Sequence, residues 1–156
     1  RDRLRSRGLG DVYKRQKQQQ VDASMLYTSD HGEDIFDDGR HLFLHASPVP
    51  SYYQLHVPLL LWTSDSYREE YPGIEKAASM NRQKNISSSI SFFQTMMELA
   101  GIETPYRNDS LSVTSPLYTE KSRVYLNDHN EPRPLDDIGM RKEDFEMLKK
   151  RGIDAQ

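Results

Sequence analysis

One short stretch near the amino end constrains the fold of this chain more than any other. Residues 25–28 form an apolar, β-favouring run, which stops abruptly at Asp30-His31-Gly32. Such a run predicts a buried strand, and a polar ending of this kind is typical of open α/β sheets, where ligands bind beyond the carboxyl ends of the strands. We therefore expect polar side chains to be presented at the end of this first strand.

Asp30 and His31 carry two different kinds of metal ligand. A carboxylate is a hard oxygen ligand and an imidazole is a borderline nitrogen ligand, and together they suit Zn²⁺ or, less well, Mn²⁺. Adjacent ligands must diverge or be shared between two ions, and Gly32 allows the sharp turn that this requires. A turn with a solvated histidine is the common alternative for an isolated Asp-His-Gly. A second pair, Asp128-His129, lacks the glycine and is expected to lie in a plain loop.

The composition excludes several classes of protein. The 156 residues contain no cysteine, so this chain has neither a disulfide framework nor a thiol nucleophile. Its longest apolar run, residues 57–62, is far shorter than the ~18 residues of a membrane span, so we expect the chain as given to be soluble or a soluble piece of a larger protein. A chain of this length can bury roughly two-thirds of its unfolded surface and so form a core.

Charge is distributed unevenly along the chain. Residues 1–20 hold seven Lys or Arg and two Asp, a net charge of +5, whereas the whole chain carries −3. A basic tail of this kind suits contact with nucleic acid or anionic lipid. The segment shows no apolar periodicity, however, so we interpret residues 1–20 as a disordered or non-native leader and expect no nucleic-acid partner.

Two later segments favour strands and two favour loops. Residues 57–62 form a continuous apolar run that predicts a fully buried strand, and residues 123–126 suggest a late strand. Residues 46–54 contain two prolines, so an extended loop is expected there. Residues 104–115 form a loop whose Ser and Thr hydroxyls lie in no recognisable nucleophile turn, and we interpret them as solvated.

Helices are indicated in the second half of the chain. Two short helices are expected between residues 63 and 84, broken at Pro72-Gly73. Asn85 is expected to cap an amphipathic helix that Gly101 ends. The apolar residues with helical spacing in it are Ile86, Ile90, Phe93, Met97 and Ala100. Residues 141–151 predict a last helix, which Gly152 ends.

Three blocks in this order resemble one protein family. They are Tyr-Thr-Ser-Asp-His-Gly-Glu at 27–33, Leu-Phe-Leu-His at 42–45 and Val-Pro-Leu-Leu-Leu-Trp at 57–62. Together they are similar to the C-terminal half of a sulfatase-fold phosphoethanolamine transferase. That is the alkaline-phosphatase-like group which modifies lipid A and includes the mobile colistin-resistance enzymes. The resemblance covers about residues 24–152.

The resemblance implies a fold and a domain layout. The fold would be α/β, with a mainly parallel sheet flanked by helices. Residues 21–153 would form the C-terminal part of the sulfatase-like catalytic domain, after the leader over residues 1–20. Strands missing from this chain would leave a sheet edge and an apolar face exposed, which favours aggregation.

The resemblance also implies roles for single residues. Asp30 and His31 would supply two zinc ligands, and Glu33 would orient a ligand from outside the coordination sphere. His45 would touch the phosphoryl group, protonate a leaving oxygen or hold a second metal ion. The loop before it is longer here than in the family pattern, which makes His41 a competing candidate. The Leu-Phe-Leu-His match favours His45.

The implied reaction is a two-step transfer. A threonine nucleophile at a zinc ion would take phosphoethanolamine from phosphatidylethanolamine and pass it to a lipid A sugar phosphate. The threonine and a further metal carboxylate would lie upstream of this chain. Membrane helices would lie upstream as well, and would hold the parent protein in the bacterial inner membrane with its catalytic domain in the periplasm.

Two other functions remain open from the residues alone. A sulfatase or a phosphoglycerol transferase would use the same Asp-His metal pair on another ester. The upstream nucleophile separates these, since a sulfatase needs Cys or Ser and a transferase of this type needs Thr. The alternative from a different class is a non-catalytic acidic binding domain, in which Asp-His-Gly is only a turn.

Two or three ligands cannot close a tetrahedral site, so this polypeptide alone should be catalytically inactive and bind zinc weakly. Isothermal titration calorimetry of the chain with Zn²⁺ checks this expectation. A submicromolar dissociation constant that His31→Ala abolishes would contradict it.

Overall fold

The computed structural model describes residues 21–45, 49–126 and 131–153, together with residues 14 and 129. The strands are β1 (Ser24–Thr28), β2 (Asp34–Ile35), β3 (Phe43–Leu44), β4 (Leu59–Thr63), β5 (Val124–Leu126) and β6 (Pro132–Pro134). The helices are α1 (Tyr52–Leu55), α2 (Asp65–Glu70), α3 (Pro72–Asn81), α4 (Ser88–Leu99) and α5 (Lys142–Lys150). Short 3₁₀ turns span Asp109–Leu111 and Leu135–Asp137.

Two predictions fall largely outside these residues. The leader over residues 1–20 is described only at residue 14, and Asp128 of the second Asp-His pair is not among the described residues. Among the described residues, no helix combines the length and the apolar character that crossing a bilayer requires.

β1 and β4 form the longest strand pair in the described part of the chain. They run antiparallel, with Ser24 opposite Thr63 and Thr28 opposite Leu59. The β2–β3 and β5–β6 pairs are antiparallel as well, whereas the sequence predicts a mainly parallel sheet. A parallel neighbour needs a crossover that carries the chain back along the sheet. Here the end of β1 pairs with the start of β4, and β2, β3 and α1 all lie in the sequence between these antiparallel partners.

The β1–β4 ribbon is only partly covered on one of its faces. Tyr27 and Leu60 are cross-strand partners whose side chains share a face, and each is 44% exposed. Helix α4 packs against β1, and the remaining side chains of β1 are half-buried. The predictions of a buried first strand and of a fully buried strand at residues 57–62 are therefore wrong at Tyr27 and Leu60, because full burial requires cover on both faces.

The two short helices predicted between residues 63 and 84 are present as α2 and α3. Ser64 caps α2, and its side-chain oxygen accepts a hydrogen bond from the Tyr67 amide at 3.1 Å. Pro72 lies in the first turn of α3, where its missing N–H costs no helical hydrogen bond. The break predicted at Pro72-Gly73 is confirmed as the start of the second helix.

Helix α4 ends where the sequence predicts but begins later. Ser87, not Asn85, occupies the N-cap position. The side-chain oxygen of Asn85 instead accepts a hydrogen bond from the Arg123 guanidinium at 3.3 Å, so it is engaged away from the helix. Gly101 ends α4 with a φ of +63°, a backbone conformation that glycine adopts without strain.

The buried face of α4 is not the apolar face that the sequence predicts. Its innermost residues are Ser91, Thr95 and Leu99, whereas Phe93 is 53% exposed. Small polar side chains allow a neighbouring loop to approach the helix closely, and Thr95 Oγ1 accepts a hydrogen bond from the Val113 amide at 3.0 Å. Hydrogen bonding to a remote segment therefore outweighs helical apolar spacing here.

Residues 112–115 form a buried turn rather than the solvated loop that the sequence predicts. The Ser112 and Thr114 hydroxyls both donate to the Glu98 carboxylate, the second of them at 2.7 Å. The Asn81 side-chain amide donates to two carbonyl oxygens of the turn, at 2.7 and 3.0 Å. The prediction is wrong because the partners that satisfy these polar groups lie far away along the chain.

Helix α1 interrupts the stretch that the sequence predicts as an extended loop. Ser51 caps it, with its hydroxyl oxygen accepting a hydrogen bond from the Gln54 amide at 3.3 Å. The last proline of the stretch, Pro50, precedes this cap, so it does not oppose the helix that follows. The prediction of an extended loop is therefore wrong from Ser51 onward, because Pro50 lies outside the helix and does not interrupt it.

A small apolar core joins α1 to α5. Its buried residues are Tyr52, Leu135, Met140 and Leu148. The Tyr52 hydroxyl forms a hydrogen bond of 2.7 Å with His56 Nδ1, so its polar end is satisfied. The last helix predicted from the sequence is confirmed, with Leu148 4% exposed and Gly152 after its end at a φ of +69°.

A buried ion pair ties the β2–β3 turn to α5. The Arg40 guanidinium donates to both oxygens of Asp144, at 2.7 and 2.9 Å, and also to Asp38. The Asp144 side chain is 1% exposed and accepts a further hydrogen bond from the Tyr52 amide at 2.9 Å. Hydrogen bonds to Asp144, and then to Asp38, raise the pKa of Arg40 above its ordinary value. Arg40 thus stays charged and holds three elements together.

Asp144→Ala should lower the free energy of unfolding by about 3 kcal/mol, because it leaves the mostly buried Arg40 guanidinium and the Tyr52 amide without their partner. Urea unfolding followed by circular dichroism measures the change. The matched control is Lys142→Ala, which breaks an exposed pair with Glu146 at 3.8 Å and should change stability by less than about 0.5 kcal/mol. Equal effects of the two substitutions would contradict a stabilising role for the Arg40–Asp144 pair.

Candidate metal centre

Three ligand-bearing side chains meet at the end of β1. They are His31, Glu33 and His45, and one ligand atom of each lies within 4.8 Å of the others. His31 and Glu33 lie in the segment that leads from β1 to β2, and His45 follows β3 directly. The polar end of the first strand therefore receives a third ligand from the hairpin that comes after it.

The register of the β2–β3 hairpin explains why Glu33 and His45 meet. Asp34 pairs with Leu44 and Ile35 with Phe43, so the next residues outward, Glu33 and His45, lie opposite one another. Residues on directly opposed positions of an antiparallel pair bring their side chains into contact. The pairing of two strands thus joins a residue before β2 to a residue after β3.

The contacts within the cluster are close. His45 Nδ1 lies 2.6 Å from Glu33 Oε1, a hydrogen-bond distance, and His31 Nδ1 lies 3.8 Å from the same oxygen. The two imidazole rings have centroids 3.9 Å apart, with 36° between their planes. The side chains are 40%, 39% and 50% exposed for His31, Glu33 and His45, so solvent and ions reach all three.

Asp30 lies beside the cluster rather than in it. Its Oδ2 is 3.7 Å from His31 Nε2, and its side chain is 86% exposed. The backbone amide of His31 donates to Asp30 Oδ1 at 3.1 Å, and this hydrogen bond is the main cause that lowers the pKa of the carboxyl. Asp30 is thus an ionised carboxylate, in contact with His31 alone among the three.

The structure brings together three of the four site residues predicted from the sequence, His31, Glu33 and His45. Glu33, predicted only to orient a ligand, lies in the cluster itself. The competing candidate, His41, is exposed, and its ring centroid lies 6.4 Å from that of Phe36, on the turn side of the hairpin. The sequence Asp37-Asp38-Gly39 is typical of a turn, and because strands flanking a turn pair outward from it, this signal contained the missing information.

The donor set suits zinc. Two imidazole nitrogens and one carboxylate oxygen are ligands that Zn²⁺ takes in tetrahedral sites. The Asp30 carboxylate, 3.7 Å from His31 Nε2, is a further oxygen ligand beside them. Glu33 and His45 are hydrogen-bonded to one another in this arrangement, so each already satisfies the other. An ion binding both would replace that hydrogen bond.

Gly32 is required by close backbone approach. A Cβ at this position would lie 1.9 Å from the Tyr53 carbonyl oxygen, and the Gly32 amide donates to the Gln54 carbonyl at 2.8 Å. The sequence predicts a glycine-dependent sharp turn here, but the φ of Gly32 lies outside the left-handed range. Space, not backbone conformation, is therefore the reason for glycine.

The family of the chain follows from comparison with known proteins. Residues 7–102 match the model of the Sulfatase family. The match covers more than half of the chain, which therefore belongs to this family. It begins inside the leader that the sequence sets apart, and the division at residue 20 stays a prediction.

Individual proteins show which members of this family the chain resembles. Phosphoethanolamine transferase EptA of Salmonella typhimurium is 31% identical over 102 residues, which are 64% of this chain and 18% of that protein. The crystal structure of the C-terminal periplasmic domain of EcEptC from Escherichia coli matches with a TM-score of 0.65 at 25% identity, over 74% of this chain and 32% of that one. The same domain in complex with Zn matches with a TM-score of 0.61 at 22% identity, over 84% and 36%.

These comparisons confirm two predictions made from the three sequence blocks. The relatives are sulfatase-family phosphoethanolamine transferases, and the α/β fold is that of a periplasmic sulfatase-like domain. The chain spans about a fifth of the length of the curated relatives and about a third of the solved domain. The roles of single residues stay predictions.

Gly32→Ala should lower the free energy of unfolding by about 2–3 kcal/mol, because the added methyl group overlaps the Tyr53 carbonyl oxygen and forces two backbone segments apart. Urea unfolding measures the effect. Gly39→Ala is the matched control, since nothing lies within 4 Å of a Cβ there, and it should change stability by less than about 0.5 kcal/mol. A Gly32→Ala variant as stable as the parent would show that the close approach does not matter.

Proposed function

We propose that this chain is the histidine-bearing part of the metal and phosphate site of a phosphoethanolamine transferase. Its parent would move phosphoethanolamine from phosphatidylethanolamine to lipid A or a related acceptor, at the periplasmic face of the bacterial inner membrane. One observation carries the proposal: His31, Glu33 and His45 converge in a chain of the sulfatase family. The names of its relatives support the transfer of phosphoethanolamine.

Asp30 and His31 are the residues proposed to hold zinc, with Glu33 beside His31 as support and His45 in the same cluster. Bound there, zinc would offset the negative charge of phosphoryl oxygens and lower the pKa of a nucleophile. The mixed nitrogen and oxygen donors support zinc over Mn²⁺. The exposure of all three cluster side chains leaves room for a substrate phosphate.

His45 is the residue proposed to act on the phosphoryl group. Its Nδ1 is engaged with Glu33 at 2.6 Å, so Nε2 is the nitrogen left to contact a phosphoryl oxygen or give a proton to a leaving oxygen. With Nδ1 donating to Glu33, Nε2 carries a proton only in the imidazolium form, and this is the form proposed to give a proton to a leaving oxygen. Glu33 would therefore orient the His45 ring toward the phosphoryl group.

The nucleophile is proposed to lie outside this chain, in agreement with the family resemblance. Ser29 carries the hydroxyl nearest in sequence to His31, and it donates to the His31 carbonyl oxygen at 2.7 Å, so its proton is directed to the backbone. Ser112 and Thr114 are buried and donate to Glu98. These hydroxyls offer no activated nucleophile at the cluster.

Substitution in a full-length version of the protein tests the proposal. His31→Ala and His45→Ala should each lower transfer of phosphoethanolamine to lipid A by about 100-fold or more, because each removes a ligand or an acid–base group. Mass spectrometry of lipid A measures the product. His41→Ala is the matched control, since His41 lies on the same hairpin but outside the cluster, and it should retain transfer.

Two outcomes would favour the other functions. Unchanged transfer in His31→Ala and His45→Ala would point to a binding domain whose Asp-His-Gly is only a turn. Hydrolysis of a sulfate ester by the full-length protein, without transfer to lipid A, would point to a sulfatase.

A further inference from the structure

One side chain outside the cluster contacts both chain segments that supply it. Gln54, in α1, donates from Nε2 to Asp34 Oδ2 and lies 3.5 Å from the Leu44 carbonyl oxygen. Asp34 adjoins Glu33, and Leu44 adjoins His45. A single amide group thus links the immediate neighbours of two cluster residues.

The backbone of Gln54 reaches the third cluster residue. Its carbonyl oxygen accepts a hydrogen bond from the Gly32 amide at 2.8 Å, and Gly32 lies between His31 and Glu33. Gly32 has no side chain, so the two backbones meet directly. Every residue of the cluster therefore has a sequence neighbour bonded to Gln54.

The link between Gln54 and Asp34 is buried, and the link to Leu44 is partly buried. Gln54 is 5% exposed and Asp34 is 2% exposed. The second carboxylate oxygen of Asp34 accepts a hydrogen bond of 2.6 Å from the hydroxyl of Ser51, which is 1% exposed. A buried polar network is strong when every member is satisfied and costly when one partner is removed. The positions of the donors and acceptors are therefore tightly constrained.

Helix α1, which carries Gln54, is itself anchored. Tyr52, two residues before Gln54, packs in the core with Leu135 and Leu148, and its backbone amide donates to buried Asp144 at 2.9 Å. The cluster side chains, by contrast, are 39–50% exposed and lie on short connecting segments. Gln54 connects the rigid part of the structure to these segments.

We propose that Gln54 is a positioning residue for the metal and phosphate site. Its side-chain amide holds the β2–β3 hairpin in the register that sets Glu33 opposite His45 and places His45 against His31. This role rests on the proposed function, because it presupposes the metal and phosphate site. The arrangement of side chains that Gln54 maintains can nevertheless be measured in the chain without metal.

The test compares Gln54→Met with Gln94→Met in the present chain. Methionine keeps the length of glutamine and removes both hydrogen bonds of the amide. Gln94 is the matched control, since its Nε2 donates to the Tyr106 carbonyl at 3.2 Å and its Oε1 accepts from the Asn108 amide at 2.7 Å, in a different part of the chain. Circular dichroism and urea unfolding establish that both variants fold.

Two readouts report on the site. Nuclear Overhauser contacts between the imidazole protons of His31 and His45, whose ring centroids are 3.9 Å apart, report its geometry without metal. Isothermal titration calorimetry reports the affinity for Zn²⁺, which is expected to be weak in this chain. Gln54→Met should lose the ring contacts and about 10-fold in zinc affinity, whereas Gln94→Met should keep both. Ring contacts that survive in folded Gln54→Met would overturn the proposal.

A reversed hydrogen bond provides the rescue. Gln54→Glu alone sets one carboxylate against another and leaves the Leu44 carbonyl without its donor, so it should lose the ring contacts. Asp34→Asn alone keeps an oxygen that accepts from the Gln54 amide, so it should keep them. The double substitution Asp34→Asn/Gln54→Glu reverses the hydrogen bond between the two side chains and should regain part of the ring contacts that Gln54→Glu loses. This series decides the question if Gln54→Met fails to fold, and ring contacts that survive in folded Gln54→Glu, or a double variant no better than Gln54→Glu, would overturn the proposal.

Failure of the proposed function gives a different result. If His31→Ala leaves zinc affinity unchanged while the ring contacts still depend on Gln54, the positioning role stands and the metal site does not. If His31→Ala abolishes zinc binding while Gln54→Met changes neither readout, the metal site stands and the positioning role fails.

Discussion

The antiparallel pairing of β2 with β3 is the constraint on which the candidate site depends. Only two residue pairs form it, Asp34 with Leu44 and Ile35 with Phe43, yet they determine what lies beyond them. A slip by one residue in such a pair turns side chains to the opposite face. The contact between the Glu33 carboxylate and the His45 imidazole exists only in the observed register. A ribbon this short cannot hold its own register, so other elements must supply the necessary rigidity.

That rigidity comes from the C-terminal part of the chain. Helix α5 presents the buried carboxylate of Asp144, which binds Arg40 in the hairpin turn and the Tyr52 amide at the start of α1. One anion thus connects the tip of the hairpin to the helix that lies beneath its base. The apolar core between α1 and α5 completes the frame. A residue more than a hundred positions along the chain from Asp30 therefore helps to shape the surroundings of the Asp-His-Gly motif.

Features with local causes could be predicted from the sequence. The first strand with its polar end, the helix start at Pro72, the helix end at Gly101 and the family itself each depend on a few neighbouring residues. Strand direction and the buried face of α4 could not, because they depend on partners remote in sequence. Thr95, for example, is buried because a distant backbone amide needs an acceptor. The position of Glu33 could be predicted only in part. The Asp37-Asp38-Gly39 sequence indicates a turn, but the pairing of Asp34 with Leu44, which sets Glu33 opposite His45, could not be predicted from it.

The geometry of the hairpin would accommodate the longer loop before His45 that the family resemblance predicts. Residues added at the tip, around residues 37–41, would lengthen the ribbon on the side away from the cluster and leave the base pairing of Asp34 with Leu44 intact. The spacing of the two histidines would then be limited only by the need to keep Arg40 within reach of Asp144 in α5. The alignment of β2 with β3 decides which side chains of this site are in contact. The number of residues between two of them in the sequence does not.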